Sequence, residues 1–202
     1  VANSIYDAAG NVASTSQSNN TLPLSVDTTT PITSLSGTSW KLRPVAGALR
    51  VGSTQGNDDW WTITASGVTD RQVLFDDIIK FNTDGSYEHI MGSQTWIEWA
   101  GIVGYVGTPS YPHDGTDGSN SNTYTWSDDN NNNLTLHGVG AHLGLAKAAN
   151  NYEITPQNIA ESTNIPTSIT YMYNITSNGY LIIDINSGDA YNIWWRFKYE
   201  QV

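Results

Sequence analysis

The chain contains no cysteine, so disulfide bonds, thiolate metal sites and cysteine nucleophiles are excluded. Lysine and arginine together number eight against 19 acidic residues, which gives a formal net charge of −11. Binding to nucleic acid or to an anionic membrane needs basic side chains, so this balance opposes both. No apolar stretch approaches the ~20 residues needed to cross a bilayer. Such an acidic surface suits a neutral ligand or an extracellular, salty medium.

Long helical repeats are also missing, and short strands separated by turn residues predict an all-β fold. A first strand is expected at 39–42. Asn82–Gly85 ends in Asp-Gly, which tolerates positive φ, and joins predicted strands at 72–81 and 86–91. The remaining expected elements are hairpins across 128–133 and 177–179, a last strand at 191–199 and one short helix at 143–150. These elements fit a β-sandwich or a β-barrel, and of the two we expect a jelly-roll-like β-sandwich.

The first 34 residues differ in composition from the rest. The motifs DAAGN (7–11) and VDTTTP (26–31) resemble the end of a bacterial immunoglobulin-like repeat. A disordered Ser/Thr-rich linker is the equal alternative. We therefore expect a boundary here and one β module over 35–202. Because the chain begins at Val1, we expect it to be a part of a larger exported protein. We expect this part to be monomeric and to lie outside the cell or on the outer-membrane surface.

Eight tryptophans and eleven tyrosines stand against three phenylalanines. Aromatic rings stack on the apolar faces of sugar rings, and Trp and Tyr also carry a polar edge. Trp60 and Trp61 follow a polar, Gly-rich loop, where packing is an unexpected use of two indoles. Trp96 and Trp99 fall on opposite faces of an extended strand, and we expect Trp99 to be the exposed one. The tryptophans expected in the core are Trp40, Trp96, Trp126 and Trp195, with Trp194 undecided.

The predicted ligand-binding site combines these rings with neighbouring polar groups. Stacking is assigned to Trp60, Trp61 and Trp99. Hydrogen bonds to sugar hydroxyls are assigned to Asp58, Asp59, Gln94, Glu98 and His113.

Catalysis is the competing interpretation, and nothing in the spacing supports it. A glycosidase needs two carboxylates that flank a bond, whereas Asp58-Asp59 and Asp76-Asp77 are adjacent and would point apart in a strand. The four histidines are dispersed without zinc-ligand spacing. We therefore predict no catalytic residues. Asp114–Asn120 carries hard oxygen ligands without EF-hand spacing, which leaves a structural calcium ion open.

A series of motifs comes in a fixed order along the chain. They are SWKL (39–42), AGALRVG (46–52), DWW (59–61), FDD (75–77) with FNTDG (81–85), QTWIE (94–98), PHDG (112–115), GVGAHLGLAK (138–147) and WWRFK (194–198). The set resembles a module of marine Bacteroidota that accompanies laminarinase-type glycoside hydrolases and occurs in surface glycan-binding proteins of polysaccharide-utilisation loci. The resemblance covers about residues 36–202. It implies a β-sandwich that binds polysaccharide, with laminarin, a β-1,3-glucan, as the first candidate.

Two other functions stay open at this point. Gly37 followed by Trp40, together with the serial hairpins, is also compatible with a lipocalin-like barrel that holds a small apolar ligand. The immunoglobulin-like remnant is compatible with a structural or adhesin module. An enclosed cavity would favour the first, and a surface patch of aromatic rings favours the glycan-binding module.

Overall fold

A computed structural model of the chain describes residues 33–92, 94–99, 102–107, 124–155, 164 and 166–202, without the side chains of residues 97, 99 and 102–107. One helix, α1 (Ala65–Asp70), is followed by a 3-10 turn at Gln72–Leu74. The strands are β1 (Thr38–Leu42), β2 (Leu49–Gly52), β3 (Trp61–Thr62), β4 (Ile78–Phe81), β5 (Ser86–Ile90), β6 (Thr95–Trp99), β7 (Ile102–Gly107), β8 (Tyr124–Asp128), β9 (Asn133–His137), β10 (Ala148–Ala149), β11 (Tyr152–Glu153), β12 (Ser168–Ile175), β13 (Leu181–Asn186) and β14 (Trp194–Gln201).

Eight of these strands form a closed antiparallel barrel in the order β1-β4-β5-β8-β9-β12-β13-β14, with β14 pairing back to β1. Barrel neighbours follow one another along the chain apart from insertions, which is the up-and-down arrangement. Three segments are inserted between successive barrel strands: the segment that runs from β2 to the 3-10 turn, the β6–β7 hairpin and the β10–β11 hairpin. The all-β prediction is confirmed. The predicted sandwich is wrong, because the β1–β14 ladder joins the ends of the sheet.

The backbone of Lys198 in β14 bonds to the chain on both sides of the loop that separates β1 from β2. Its N–H donates to the Ala48 carbonyl at 2.8 Å, and its carbonyl accepts from the Arg43 N–H at 3.0 Å. Residues 44–47 therefore loop out, and β1 and β2 together act as one barrel strand against β14. The sequence predicts only a loop from 47 to 56, whereas the structure places β2 inside it.

The hairpin predictions are confirmed where turn residues and alternation agree. β4–β5, β8–β9 and β12–β13 are antiparallel pairs, and Gly85 in the first turn has φ +84°. Burial alternates along β14, so that Trp195, Phe197 and Tyr199 point inward. The predicted strand at 72–81 begins only at Ile78, because Phe75 N–H bonds to the Gln72 carbonyl at 3.0 Å in the 3-10 turn.

The barrel interior is filled by a segment of its own chain, residues 138–149, which we call the plug. Ala141–Leu145 of the plug are buried. Tyr87 donates its hydroxyl to the His142 carbonyl at 2.7 Å. The Leu143 and Gly144 amides donate to the hydroxyls of Tyr171 and Tyr199 at 3.0 and 2.7 Å. Each bond contributes about 1 kcal/mol net, and leaving one of these buried groups unpaired would cost more.

The plug replaces the short helix predicted at 143–150. Its amides at 143 and 144 bond to tyrosine hydroxyls instead of carbonyls four residues earlier, and Gly144 has φ +66°. Apolar residues there are buried on all sides, so no solvent face imposes helical periodicity.

Gly144 gives a direct test of the plug. A Cβ there would lie 2.2 Å from the Phe197 ring, at a φ that side chains rarely adopt. We expect Gly144→Ala to lower the free energy of unfolding by roughly 2–4 kcal/mol, through overpacking added to backbone strain. Urea denaturation measures this change.

Gly179→Ala is the matched control, because Gly179 has φ +73° and no atom lies within 4 Å of the place that a Cβ would occupy. Backbone strain alone costs about 1 kcal/mol there. Equal losses for the two variants would contradict close packing between the plug and the barrel wall.

Candidate functional site

Trp60 and Trp61, neighbours in sequence, are both exposed on the surface, with 52% and 36% of each residue exposed. Trp61 begins β3 and pairs with Val51 of β2. The preceding loop is closed by Asp59, whose carboxylate accepts from the Ser53 amide at 2.9 Å and from the Ser53 hydroxyl at 2.7 Å. These bonds hold the pKa of Asp59 below its usual value. Asp59 therefore positions the tryptophans, and Asp58 beside it is exposed.

Arg71 connects Trp61 to β6. Its guanidinium carbon lies 5.5 Å from the centre of the Trp61 ring and 4.6 Å from that of Trp96, within the range of cation–π attraction. Arg71 directly follows α1, whose first turn is capped by Thr64, so the helix end delivers the cation between the two indoles.

Glu98 continues this arrangement along β6. One carboxylate oxygen accepts from the Trp96 indole N–H at 2.9 Å, and the other from the Lys147 ammonium at 2.8 Å. The Lys147 ammonium also lies 4.7 Å from the centre of the Trp195 ring. We call the row of Trp60, Trp61, Arg71, Trp96, Glu98 and Lys147 the aromatic row.

Contacts through Arg71 and Trp96 link two of the predicted site residues, Trp61 and Glu98. Trp60 precedes Trp61 in the chain and is exposed. Gln94 is exposed just before β6. The side chain of Trp99, the whole of His113 and the candidate calcium loop at 114–120 lie outside the described residues. Arg71 and Lys147 carried no strand pattern or turn signal that would have marked them.

Of the four tryptophans expected in the core, two are buried and two are half-buried. Trp40 and Trp195 are buried. Trp126 is half-buried, with its ring 5.4 Å from that of Phe81 at 72°, and donates its N–H to the Asn82 carbonyl at 3.1 Å. Trp96 is half-buried against the core and also joins the aromatic row. Trp194 is half-buried.

A second group of polar side chains, Asp77, His89 and His142, is buried where the plug packs against the barrel. Asp77 accepts from the Thr95 hydroxyl at 2.6 Å, and its same oxygen lies 3.6 Å from His89 Nε2. The rings of His89 and His142 are 4.8 Å apart. His142 Nδ1 lies 2.9 Å from the Gly140 carbonyl oxygen. Because a carbonyl oxygen only accepts, Nδ1 carries the hydrogen of this bond.

Burial decides the protonation of this group. It raises the pKa of Asp77 to about 8 and lowers the pKa of His89 to about 4. Burial, and then the nearby His89, lower the pKa of His142 to about 3. Burial therefore favours the uncharged forms of both groups in the Asp77–His89 contact. The cavity lined by Asp77 and His89 measures about 10 Å³, about the volume that one water needs, so a substrate has no access to the pair.

No model of a known protein family matches the chain, and no curated protein matches it. Among the residues that the structure describes, no helix is long and apolar enough to cross a membrane. Within the same ranges, no three His, Asp or Glu side chains cluster as metal ligands.

Asp77 makes stability depend on pH with a defined sign. Its folded pKa, about 8, exceeds the usual 3.8, so its contribution is complete below pH 3.8 and is lost as pH rises towards 8. Asp77→Asn cannot ionise. We expect the variant to gain roughly 2–4 kcal/mol of unfolding free energy relative to the unaltered chain between pH 5 and pH 8, measured by urea denaturation.

Asp76→Asn is the control, because Asp76 is adjacent in sequence but exposed. Parallel stability curves for Asp77→Asn and the unaltered chain would show that Asp77 is ionised in the fold.

Proposed function

We propose that the barrel is a non-catalytic polysaccharide-binding module that holds a β-glucan, with laminarin as the first candidate, on the aromatic row. The observation that carries this proposal is the pair of adjacent exposed indoles, Trp60 and Trp61, which project from an ordered loop. Indole faces stack on the C–H faces of pyranose rings, and exposed aromatic area of this kind is usually functional.

Order in the free protein supports the assignment. Asp59 closes the loop before the two rings, and Arg71 holds Trp61 against β6. A preorganised platform loses little conformational entropy when a chain binds to it. A shallow surface of a few rings gives an affinity between about 1 μM and 1 mM.

The filled interior favours a surface site over an enclosed one. The up-and-down barrel has the strand order of lipocalin-like proteins, whose ligands sit inside. Here the plug and the inward side chains occupy that space, and two cavities lined by described residues measure about 10 Å³ each. A drug-sized ligand needs about 300 Å³ or more.

The resemblance to modules of marine Bacteroidota gives the proposal its biological setting. In that setting the module belongs to an exported multidomain protein, and it keeps glucan near the cell surface or near a partner hydrolase. Chemistry would then be carried out by another domain or protein.

The test is a double variant, Trp60→Ala with Trp61→Ala, titrated with laminarin by isothermal calorimetry. We expect a loss of affinity of about tenfold or more, because each stacked ring contributes on the order of 1 kcal/mol or more. A thermal melt close to that of the unaltered protein would show that the two exposed rings contribute little to folding.

Tyr191→Ala is the matched control. Tyr191 is 81% exposed, precedes β14 and makes none of the contacts described for the aromatic row. Undiminished affinity in the tryptophan variant, or an equal loss in the tyrosine variant, would contradict the assignment. Release of shorter sugars from laminarin by the purified chain would contradict the absence of catalysis.

A further inference from the structure

The few cations of this acidic protein are concentrated on one outer face of the barrel. Five of the chain's eight Lys and Arg residues lie on β1, β2 and β14 or directly after β1. They are Lys41, Arg43, Arg50, Arg196 and Lys198. Strands β1, β2, β13 and β14 carry only two carboxylates, Asp184 and Glu200. We call this surface the basic face.

Strand register places these side chains together. Arg50 lies directly opposite Arg196, and Lys41 opposite Glu200, across the β14 ladders. Inward neighbours such as Leu49 and Phe197 are buried, so the alternating charged residues point outward. Like charges that face each other across a ladder destabilise a sheet unless a counter-charge is nearby.

The two carboxylates are already engaged. Asp184 binds the Arg196 guanidinium with both oxygens, at 2.6 and 2.7 Å, and accepts from Gln55 at 2.9 Å. Glu200 lies 3.4 Å from both Lys41 and Arg43. Among the described residues, Arg50 and Lys198 have no carboxylate within 4.0 Å.

Unpaired polar atoms lie at the same place. The Nε of Arg50 and the hydroxyl of Thr62 are both buried and lack a hydrogen-bond partner within the described part of the chain. Arg50 and Thr62 are direct partners in the β2–β3 ladder. Buried polar groups of native proteins almost always have partners, so two orphans side by side point to a ligand or water between them.

Lys198 lies close to other positive charges on the basic face. Its ammonium lies 4.6 Å from the centre of the Tyr180 ring, and the Arg43 guanidinium carbon lies 4.0 Å from the same ring. Burial, and then the positive charges of Arg43 and Arg50, lower the pKa of Lys198. A bound anion would relieve the repulsion within this group.

We propose that the basic face is a second binding site, which takes a sulfate or carboxylate group of an acidic polysaccharide between Arg50, Thr62 and Lys198. The net charge of −11 opposes an anion at long range, but physiological salt screens charges beyond about 8 Å, so the local cations dominate at contact. The choice of a glycan as the carrier rests on the proposed function, whereas the anion site rests on this face alone.

The experiment is affinity electrophoresis of the whole chain, first at physiological salt and then at higher salt, in gels that contain dextran, dextran sulfate or polygalacturonate. Dextran and dextran sulfate share a backbone and differ only in charge, and polygalacturonate separates carboxylate from sulfate recognition. We expect one or both polyanions, but not dextran, to retard the chain. Added salt should weaken the retardation, as for any charge-based contact.

Lys198→Gln is the test variant and Lys80→Gln its control, since each removes one positive charge. Lys80 is on β4 and lies 3.6 Å from Glu88. We expect Lys198→Gln to weaken polyanion binding about tenfold and Lys80→Gln to leave it unchanged. Arg50→Gln combined with Lys198→Gln should abolish retardation. Thermal melts accompany each variant, and Thr62→Val gives a second test without a change of charge.

The outcomes separate this site from the aromatic row. The Trp60→Ala and Trp61→Ala variant should keep its retardation by polyanions even if it loses laminarin. The proposal is overturned if neither polyanion retards the unaltered chain, if Lys198→Gln behaves like Lys80→Gln, or if the tryptophan variant loses polyanion binding. Failure of laminarin binding alone would overturn only the proposed function.

Discussion

Hydrogen bonds between buried tyrosine hydroxyls and the backbone of the plug are the interaction on which the rest of the structure depends. Tyr87, Tyr171 and Tyr199 come from three different barrel strands, and all reach residues 142–144. An irregular backbone inside a barrel would otherwise leave peptide groups unpaired, at a cost of several kcal/mol. These bonds pair the backbone of the plug with the barrel wall.

The two candidate surfaces follow from what remains outside. In the aromatic row, Arg71 lies against the indoles of Trp61 and Trp96, and Glu98 is paired with Lys147. The outer face of β14 differs from it, because its strands carry more cations than the local carboxylates can pair. One surface suits stacking on a sugar ring and the other suits an anionic substituent. A module with both would recognise ring and charge separately.

The elements predicted correctly from the sequence are those that local physics decides. The Asp84-Gly85 turn and the alternation along β14 give hairpins and inward faces from a few neighbouring residues. Barrel closure was missed, because the β1–β14 pairing joins residues about 160 positions apart and no local pattern records it. The plug was mistaken for a helix, since an apolar run buried on all sides has no period. Trp60 and Trp61 were recognised from their polar surroundings, whereas Arg71 depends on where α1 ends in space.

Amide hydrogen exchange of residues 142–144 tests the central claim, that the plug is an integral part of the barrel core, most directly. The Leu143 and Gly144 amides donate to buried tyrosine hydroxyls, so they should exchange only when the barrel opens globally. We expect protection equal to that of the β13 and β14 amides, read by nuclear magnetic resonance or mass spectrometry. Exchange of the plug amides orders of magnitude faster than that of β14 would contradict the claim, and would reopen the barrel interior as a ligand site.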